Sequence, residues 1–452
     1  MKEYTEEYLN TIQQIVRERD VKRAKEFLAE LHPADIAELF EDLAIDDAEF
    51  LNELLEDETA AEVLMEMDED ERRKLLANMP KEEIAKSLEH LDTDDAVDLI
   101  QDLDEEDRDE VISHIDDVEQ AGDIIDLLKY DDDTAGGLMG TEMIIVNENW
   151  SMPECLKEMR VQAEDMDEIY NVYVVDDDHR LKGVFPLKKM ITHPSVSKIK
   201  HVMDTDPFSV KTDTPIEDVA HDFEKYNLAA MPVVDSIGRL VGRITFDDVM
   251  DKVREYSERD YQLASGISTD VESDDNIFTQ TKARLPWLLI GMIGGLANSV
   301  ILGGFEKGFA TNPAMALFIP LIGGTGGNVG IQSSAIIVQG LANGSLDIKD
   351  SARQLWKELS VGLLNATIIS LLVFCYNCFR LDPTNVTTIA VSVSLFCVVI
   401  FASVFGTFVP LTLEKLKIDP ALATGPFISI TNDIIGMLIY MLVSSALLNS
   451  LA

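Results

Sequence analysis

Basic side chains are scarce in this chain. Its 452 residues include 37 Lys and Arg and 7 His against 83 Asp and Glu, a formal charge of −46. A field of that sign repels nucleic acid and anionic lipid and concentrates cations, so nucleic acid is excluded as a partner. Cysteine is scarce too, at four residues. Cys375 and Cys378 form Cys-Tyr-Asn-Cys late in an apolar segment, with no second pair and no histidine nearby. That reads as packing, not as a zinc or redox motif. The opening residues, MKEYTEEYLN, have no basic region and no apolar core, so no signal peptide is expected.

The acids are unevenly spread. Residues 281–452 carry 8 acids and 9 bases, which leaves 75 acids and 28 bases for residues 1–280, a net charge of −47 there. An acidic soluble portion therefore precedes a nearly neutral, apolar one. The apolar part reads as five spans, Leu285–Phe305, Pro313–Leu341, Leu359–Phe379, Val386–Leu413 and Ala421–Leu451. Each meets the roughly 20 residues that a bilayer crossing needs. Lys282, Arg284, Lys349, Arg353, Lys357, Lys415 and Lys417 fall on the side shared with the soluble portion, and only Lys307 and Arg380 on the other. The excess of positive charge places the N-terminal portion in the cytosol and the C-terminus outside.

Asp433 is the one charge-bearing residue (Asp, Glu, Lys, Arg or His) of the last span. An intramembrane carboxylate is costly and commonly marks an ion or proton route; the alternative is a carboxyl bonded to a neighbouring helix. The second span holds Gly323-Gly324-Thr325-Gly326-Gly327-Asn328-Val329-Gly330-Ile331-Gln332. It lacks the Lys-Ser/Thr ending of a phosphate loop. Its small residues suit close helix packing or carbonyls lining a cavity. Asn328 and Gln332 share a helix face. With Asn432 and Asp433 they offer oxygen ligands and no thiolate or imidazole, a set suited to a hard cation, Mg²⁺ in particular.

Two repeats organise the soluble portion. Apolar residues recur every twelve positions at Leu31, Leu43, Leu55, Met67, Met79, Leu91, Leu103, Ile115 and Leu127, with Asp or Pro opening the units. This pattern predicts a right-handed superhelix of short helices. Further on, the β-rich runs Ile169–Asp176 and Met231–Asp235 are each followed by a glycine-bearing return strand, with Val175 to Val234 and Gly183 to Gly242 both 59 residues apart. The duplication resembles a pair of CBS (cystathionine β-synthase-type) modules. The second copy keeps Gly242, Thr245 and Asp248, which match the positions that hold a nucleotide ribose in such modules; the first copy lacks the pattern. Thr245 and Asp248 are thus the candidate adenine-nucleotide residues.

Taken together, the acidic helical region, Asp133-Thr134-Ala135-Gly136-Gly137-Leu138-Met139, the paired modules, Gly324–Asn328 and Asp419-Pro420-Ala421-Leu422-Ala423-Thr424-Gly425-Pro426 resemble the MgtE-type magnesium channels. The resemblance implies a multidomain membrane protein and not an enzyme. Its expected parts are an all-α superhelical N domain (1–130), an α+β tandem CBS domain (131–245), a linker or plug helix (246–280) and a five-helix transmembrane domain (281–452). It also implies a homodimer in the lipid bilayer of the bacterial plasma membrane, selective for Mg²⁺, with its pore between protomers and closed by intracellular Mg²⁺. Carried over residue by residue, the pore carboxylate matches Asp433 and the regulatory acids match Asp94, Asp98, Glu217, Asp248, Asp251, Asp260 and Asp419. Three positions depart, with Asn227, Pro215 and Arg259 standing where the family pattern has acids. The expected mechanism is electrostatic: clustered carboxylates repel until Mg²⁺ bridges them and draws the linker helix over the pore mouth. A CBS-regulated anion channel would line its pore with basic residues, and a non-conducting sensor would not need Asp433.

Overall fold

The computed structural model describes residues 6–451 except 164–165, 167–168, 193–196, 270, 272–275, 343–344, 347–348, 350, 381–384 and 424. Thr424 of the Asp419–Pro426 motif lies outside the described residues. The chain forms two compact units, residues 1–253 and 254–452.

In the first unit, ten short helices come first: α1 (Glu6–Glu18), α2 (Val21–Leu28), α3 (Pro33–Glu41), α4 (Ile45–Asn52), α5 (Asp57–Glu66), α6 (Glu69–Leu76), α7 (Lys81–Leu88), α8 (Thr93–Gln101), α9 (Glu105–Ser113) and α10 (Val118–Leu127). From α2 on the helices run eight to ten residues; Asp20, His32, Asp68 and Asp117 cap α2, α3, α6 and α10 through their side chains, and the other starts lack such a bond. Asp68 accepts from the Asp70 amide and Pro80 occupies the N-cap of α7. The twelve-spaced residues Met67, Met79, Leu91, Leu103 and Ile115 are buried in the turns. Helices stack on every second neighbour, α3 on α5, α5 on α7 and α7 on α9, with α4 on α6 and α8 on α10. The rows share a core in which Leu39, Leu51, Leu64, Leu75 and Ile84 are fully buried, each worth about 1.5–3 kcal/mol of transfer free energy.

The α+β part follows: β1 (Ile144–Asn147), α11 (Met152–Gln162), β2 (Val172–Val175), β3 (Leu181–Phe185), α12 (Leu187–Thr192), β4 (Asp204–Thr205), β5 (Val210–Lys211), α13 (Ile216–Tyr226), β6 (Ala230–Val234) and β7 (Leu240–Thr245). One sheet runs β1-β2-β3-β4 and the other β5-β6-β7, each opening on a parallel pair and continuing antiparallel. The 59-residue duplication reaches down to the irregularities. Val174 pairs Gly183 and Val175 pairs Leu181 across a bulge; Val233 pairs Gly242 and Val234 pairs Leu240 across the matching bulge. The two hairpins meet at a bridge between Arg180 and Arg239, themselves equivalent in the repeat.

α14 (Phe246–Ser265) contains the boundary between the units. Beyond it lie α15 (Ile277–Gly304), α16 (Glu306–Thr311), a 3₁₀ turn at Pro313–Phe318, α17 (Ile319–Ala342), α18 (Ser351–Arg380), α19 (Val386–Lys415) and α20 (Gly425–Leu451). Among the described residues, five helical segments are long and apolar enough to cross a membrane. α19 is the central helix, packed by α17, α18 and α20, while α15 packs on α20. Their core gathers Ile322, Val391, Leu395, Val398 and Tyr440. α15 instead displays Leu288, Ile293, Leu296 and Val300, as expected of a face that meets lipid or another chain and not water. The protein is a multi-pass membrane protein.

Candidate ion sites

In the first unit, acids converge where α8 meets the segment before β1 and the start of α14. The N-terminus of α8 is capped from a distance: Thr93 N and Oγ1 each donate to Glu142 at 3.1 Å, and Thr141 N donates to Thr93 Oγ1 at 2.9 Å. Glu142 therefore does the work expected of Asp92, whose own side chain makes no cap bond. Asp92 accepts instead from Arg243 Nη2 on β7, at 3.1 Å. Arg243 is held in turn by backbone pairing with Gly140, both N···O distances 2.9 Å, and lies over the Tyr170 ring. Asp248, in the first turn of α14, accepts from the backbone and hydroxyl of Thr245.

The electrostatics are those of an incompletely compensated cluster. Burial, then Asp248, Asp95, Glu142 and Asp92, raise the Asp94 carboxyl well above the usual carboxylate range. Asp95 is pushed up to about 7 by burial and then by Asp248 and Asp98. Asp98 is raised by burial against the opposing charges of Lys252 and Arg72. Asp248 is raised by burial although the Thr245 hydrogen bonds oppose it. Glu142 is raised by burial and then by Asp92. Asp92, Asp94 and Glu142 can each place a ligand oxygen within 4.8 Å of the others. An all-carboxylate set fits a hard divalent cation, which would neutralise the charge that protons otherwise neutralise.

Of the sequence-predicted acids, Asp94, Asp98 and Asp248 come together here. Asp251 is exposed on α14, Glu217 exposed in the first turn of α13, and Asp260 half-buried further along α14. The departures have local explanations. Pro215 is the N-cap of α13 and bridges Thr134. Asn227 ends α13 at φ 50°, ψ 53°, a left-handed conformation that asparagine adopts more readily than most residues. Arg259 lies over Tyr256, 4.8 Å from the ring centroid.

In the second unit, Asp433 is half-buried on α20 and rests on the glycine face of α17. A Cβ at Gly323 would lie 3.4 Å from Asp433 Oδ1, and one at Gly327 3.6 Å from it and 3.2 Å from Ser429 Oγ. A methyl at either position would just touch the carboxylate, the one at Gly327 would press on Ser429 Oγ, and larger side chains would crowd both. Asn432 points elsewhere: it is 1 % exposed, packs on Gly330, and its amide has no hydrogen-bond partner among the described residues. Asn328 and Gln332 lie on an exposed face of α17 with Gly324. Asp419 is exposed and caps the turn at Pro420–Ala423, accepting from Ala421 N at 2.8 Å.

Sequence reasoning missed Asp92, Asp95, Glu142 and Arg243. The three neighbouring acids of α8 read as caps and first-turn charges that favour any helix N-terminus. Glu142 belongs to no motif. The density of acid at Asp92-Thr93-Asp94-Asp95 is the local signal that could have found Asp92 and Asp95 beside the already named Asp94.

The chain matches the family described as the MgtE intracellular N domain over residues 31–133, the CBS domain over 135–195 and 199–255, and the MgtE divalent cation transporter over 319–443. It is 34 % identical over 444 residues to the magnesium transporter MgtE of Thermus thermophilus, covering 97 % of this chain and 98 % of that protein. It is 30 % identical over 325 residues to that of Bacillus subtilis, covering 72 % of each. Among solved structures, it is similar to the cytosolic domain of the Mg²⁺ channel MgtE in complex with ATP, with 34 % identity and a TM-score of 0.51 over 54 % of this chain and 99 % of that one. It is also similar to the soluble part of a magnesium transporter, with 29 % identity and a TM-score of 0.50 over 56 % and 99 %.

Proposed function

The chain belongs to the MgtE family, and from that premise we propose that it carries Mg²⁺ into the bacterial cell across the plasma membrane and closes when cytosolic Mg²⁺ occupies its acidic portion. The observation that carries the transport reading is Asp433, a carboxylate of an apolar helix set on the glycines of its neighbour. Mg²⁺ gives up its water reluctantly. A carboxylate seated on bare helix backbone is held in place without a covering side chain and would attract the hydrated ion through water. Two copies of the chain, each giving one Asp433, would line the path, with the exposed Asn328 and Gln332 as neighbouring polar groups and Asp419 as the acid of the cytosolic mouth; Asn432, buried against Gly330, would act on the packing of α17 and not on the ion.

Closure rests on the raised carboxyls of Asp94, Asp95 and Asp248. Packed together without enough positive charge, they favour whatever neutralises them, and a ligand shifts a conformational equilibrium only through such a preference. Mg²⁺ held by Asp92, Asp94 and Glu142, with Asp98, Asp248 and Asp251 close by in sequence or space, would fix α14 and its continuation to Asp260; Glu217 is a further acid of the same portion. Thr245 and Asp248 are the residues for an adenine nucleotide, a reading supported by the ATP-bound relative. Asp248 then serves both ligands, so the two would be linked.

Ion flux into liposomes tests transport. Asp433→Ala should abolish Mg²⁺ uptake in a protein that still folds; wild-type flux would sink the pore reading. Patch recordings over a range of cytosolic Mg²⁺ test closure. Asp94→Ala with Asp98→Ala should stay open at concentrations that close the wild type. Smaller currents with unchanged inhibition would instead mark these acids as a cation-concentrating funnel.

A further inference from the structure

Glu358 has no part in either site. By sequence it belongs to the polar approach to the third span, yet it is 7 % exposed. α18 buries it with Gly362, Ala366 and Ser370 at four-residue spacing, one face of a helix. Ser333 Oγ of α17 and Ser403 Oγ of α19 both donate to Glu358 Oε1 at 2.7 Å, and the two hydroxyls lie 3.4 Å apart. One oxygen with two donors has both lone pairs engaged. Gly362, one turn on, preserves the contact, since a Cβ there would fall 2.8 Å from Ser403 Oγ. The carboxylate is thus shared by three helices through hydroxyls.

α17 needs such a hold. It contains six glycines in 24 residues, each a weaker helix former than alanine. It also carries Gly323 and Gly327, on which Asp433 rests, and Ser333 lies six residues beyond Gly327, about 9 Å along the axis. Between them, Gly330 touches the Gly406 backbone of α19 and Asn432 of α20. Any axial slip of α17 therefore moves the floor under Asp433.

We propose that Glu358 is a positioning residue: with Ser333 and Ser403 it clasps α17 to α18 and α19 and so fixes the place of Gly323 and Gly327 beneath Asp433. This rests on the reading of Asp433 as the ion-attracting group. What the clasp requires of Glu358 is an acceptor oxygen in a fixed place, and not its charge.

Full-length protein in liposomes, with Mg²⁺ flux measured against external Mg²⁺, tests it. Groups that orient a metal-attracting side chain cost about 10–100-fold in affinity when removed. Glu358→Ala, and the double change Ser333→Ala with Ser403→Ala, should raise the half-saturating Mg²⁺ concentration by at least the lower figure, with a smaller loss of maximal flux. Adding the serine changes to Glu358→Ala should make it no worse. Glu358→Gln, whose amide oxygen accepts from both hydroxyls, should stay near wild type. Half-saturation unchanged in Glu358→Ala overturns the clasp. So does Glu358→Gln as impaired as Glu358→Ala, because charge would then be what is used. If Glu358→Ala does not fold, the double serine change and Glu358→Gln decide. Asp433→Ala run in parallel separates the claims: loss of flux there with normal half-saturation in Glu358→Ala sinks the clasp alone, whereas normal flux in Asp433→Ala sinks the pore reading on which it rests.

Discussion

Arg243 reaches back 151 residues along the chain to Asp92, Nη2 to Oδ2 at 3.1 Å, and so ties the second CBS hairpin to the helical superhelix. It brings a fixed positive charge to Asp92, distinct from the Lys252 and Arg72 charges that act on Asp98. Arg243→Met should weaken the tie by about 1.5 kcal/mol, the low end for a hydrogen bond to a charged group because Asp92 is half open to solvent. Limited proteolysis of the variant without Mg²⁺ should cut sooner between residues 127 and 144, and saturating Mg²⁺ should restore most of the protection. Equal cutting with and without Mg²⁺ would show that the arginine and the ion do not share the cluster.

The same cluster sets a pH dependence with a definite sign. The carboxyls of Asp94, Asp95, Asp248 and Glu142 are raised in the folded state. Their contribution to the docked arrangement is therefore present at low pH and is lost as pH rises through the raised values, which for Asp95 is about 7. Without Mg²⁺, resistance to proteolysis should fall between pH 5 and 8, and the protection given by Mg²⁺ should be greater at pH 8 than at pH 6. Binding should release protons at pH 6, measurable by calorimetry in two buffers of different ionisation enthalpy.

Gly327 tests the floor beneath the intramembrane carboxylate. A methyl there comes within 3.2 Å of Ser429 Oγ and 3.6 Å of Asp433 Oδ1. Gly327→Ala should therefore lower Mg²⁺ flux, and Gly327→Val should lower it much further, with the protein still extracted and purified as a folded species. Equal flux from all three would mean that the ion does not pass this face of α17.

Asn227 and Arg259 stand where acids are expected of the family. If those positions hold ions, Asn227→Asp with Arg259→Glu should lower the cytosolic Mg²⁺ needed for closure in patch recordings. The structure adds a cost at each. Residue 227 has positive φ, and Arg259 leaves the Tyr256 ring. A slight loss of thermal stability should accompany the change in closure. An unchanged closing concentration would mean that neither position is a ligand here.

Much of this architecture is legible in sequence where a single period dominates. Twelve-residue spacing gave the buried turns at Met67, Met79 and Leu91, and the 59-residue offset recurs even in the bulges after Val174 and Val233. Long apolar runs marked the spanning helices because nothing else in a chain looks like them. The ion cluster was half legible. Asp94, Asp98 and Asp248 came from the family resemblance, but Glu142 and Arg243 act through long-range contacts that leave no local spacing to read. Glu358 was obscured by its position beside Lys357 and Arg353, where a charged residue reads as interfacial. Only the convergence of three helices shows that it is inside.

The every-second-neighbour stacking of α3 to α10 gives the superhelix a parity. The odd helices α3, α5, α7 and α9 form one continuous row, and the even ones pack as α4 on α6 and α8 on α10, so a helix is assigned to its side, or wall, by counting. Removing one twelve-residue unit would send every helix on one side of the cut to the opposite wall. Buried faces would turn outward although each helix kept its sequence. Removing two units would shorten the stack and leave both walls in phase. Natural length variation in such a region should therefore come in steps of 24 residues rather than 12, about the size of one full pair of helices.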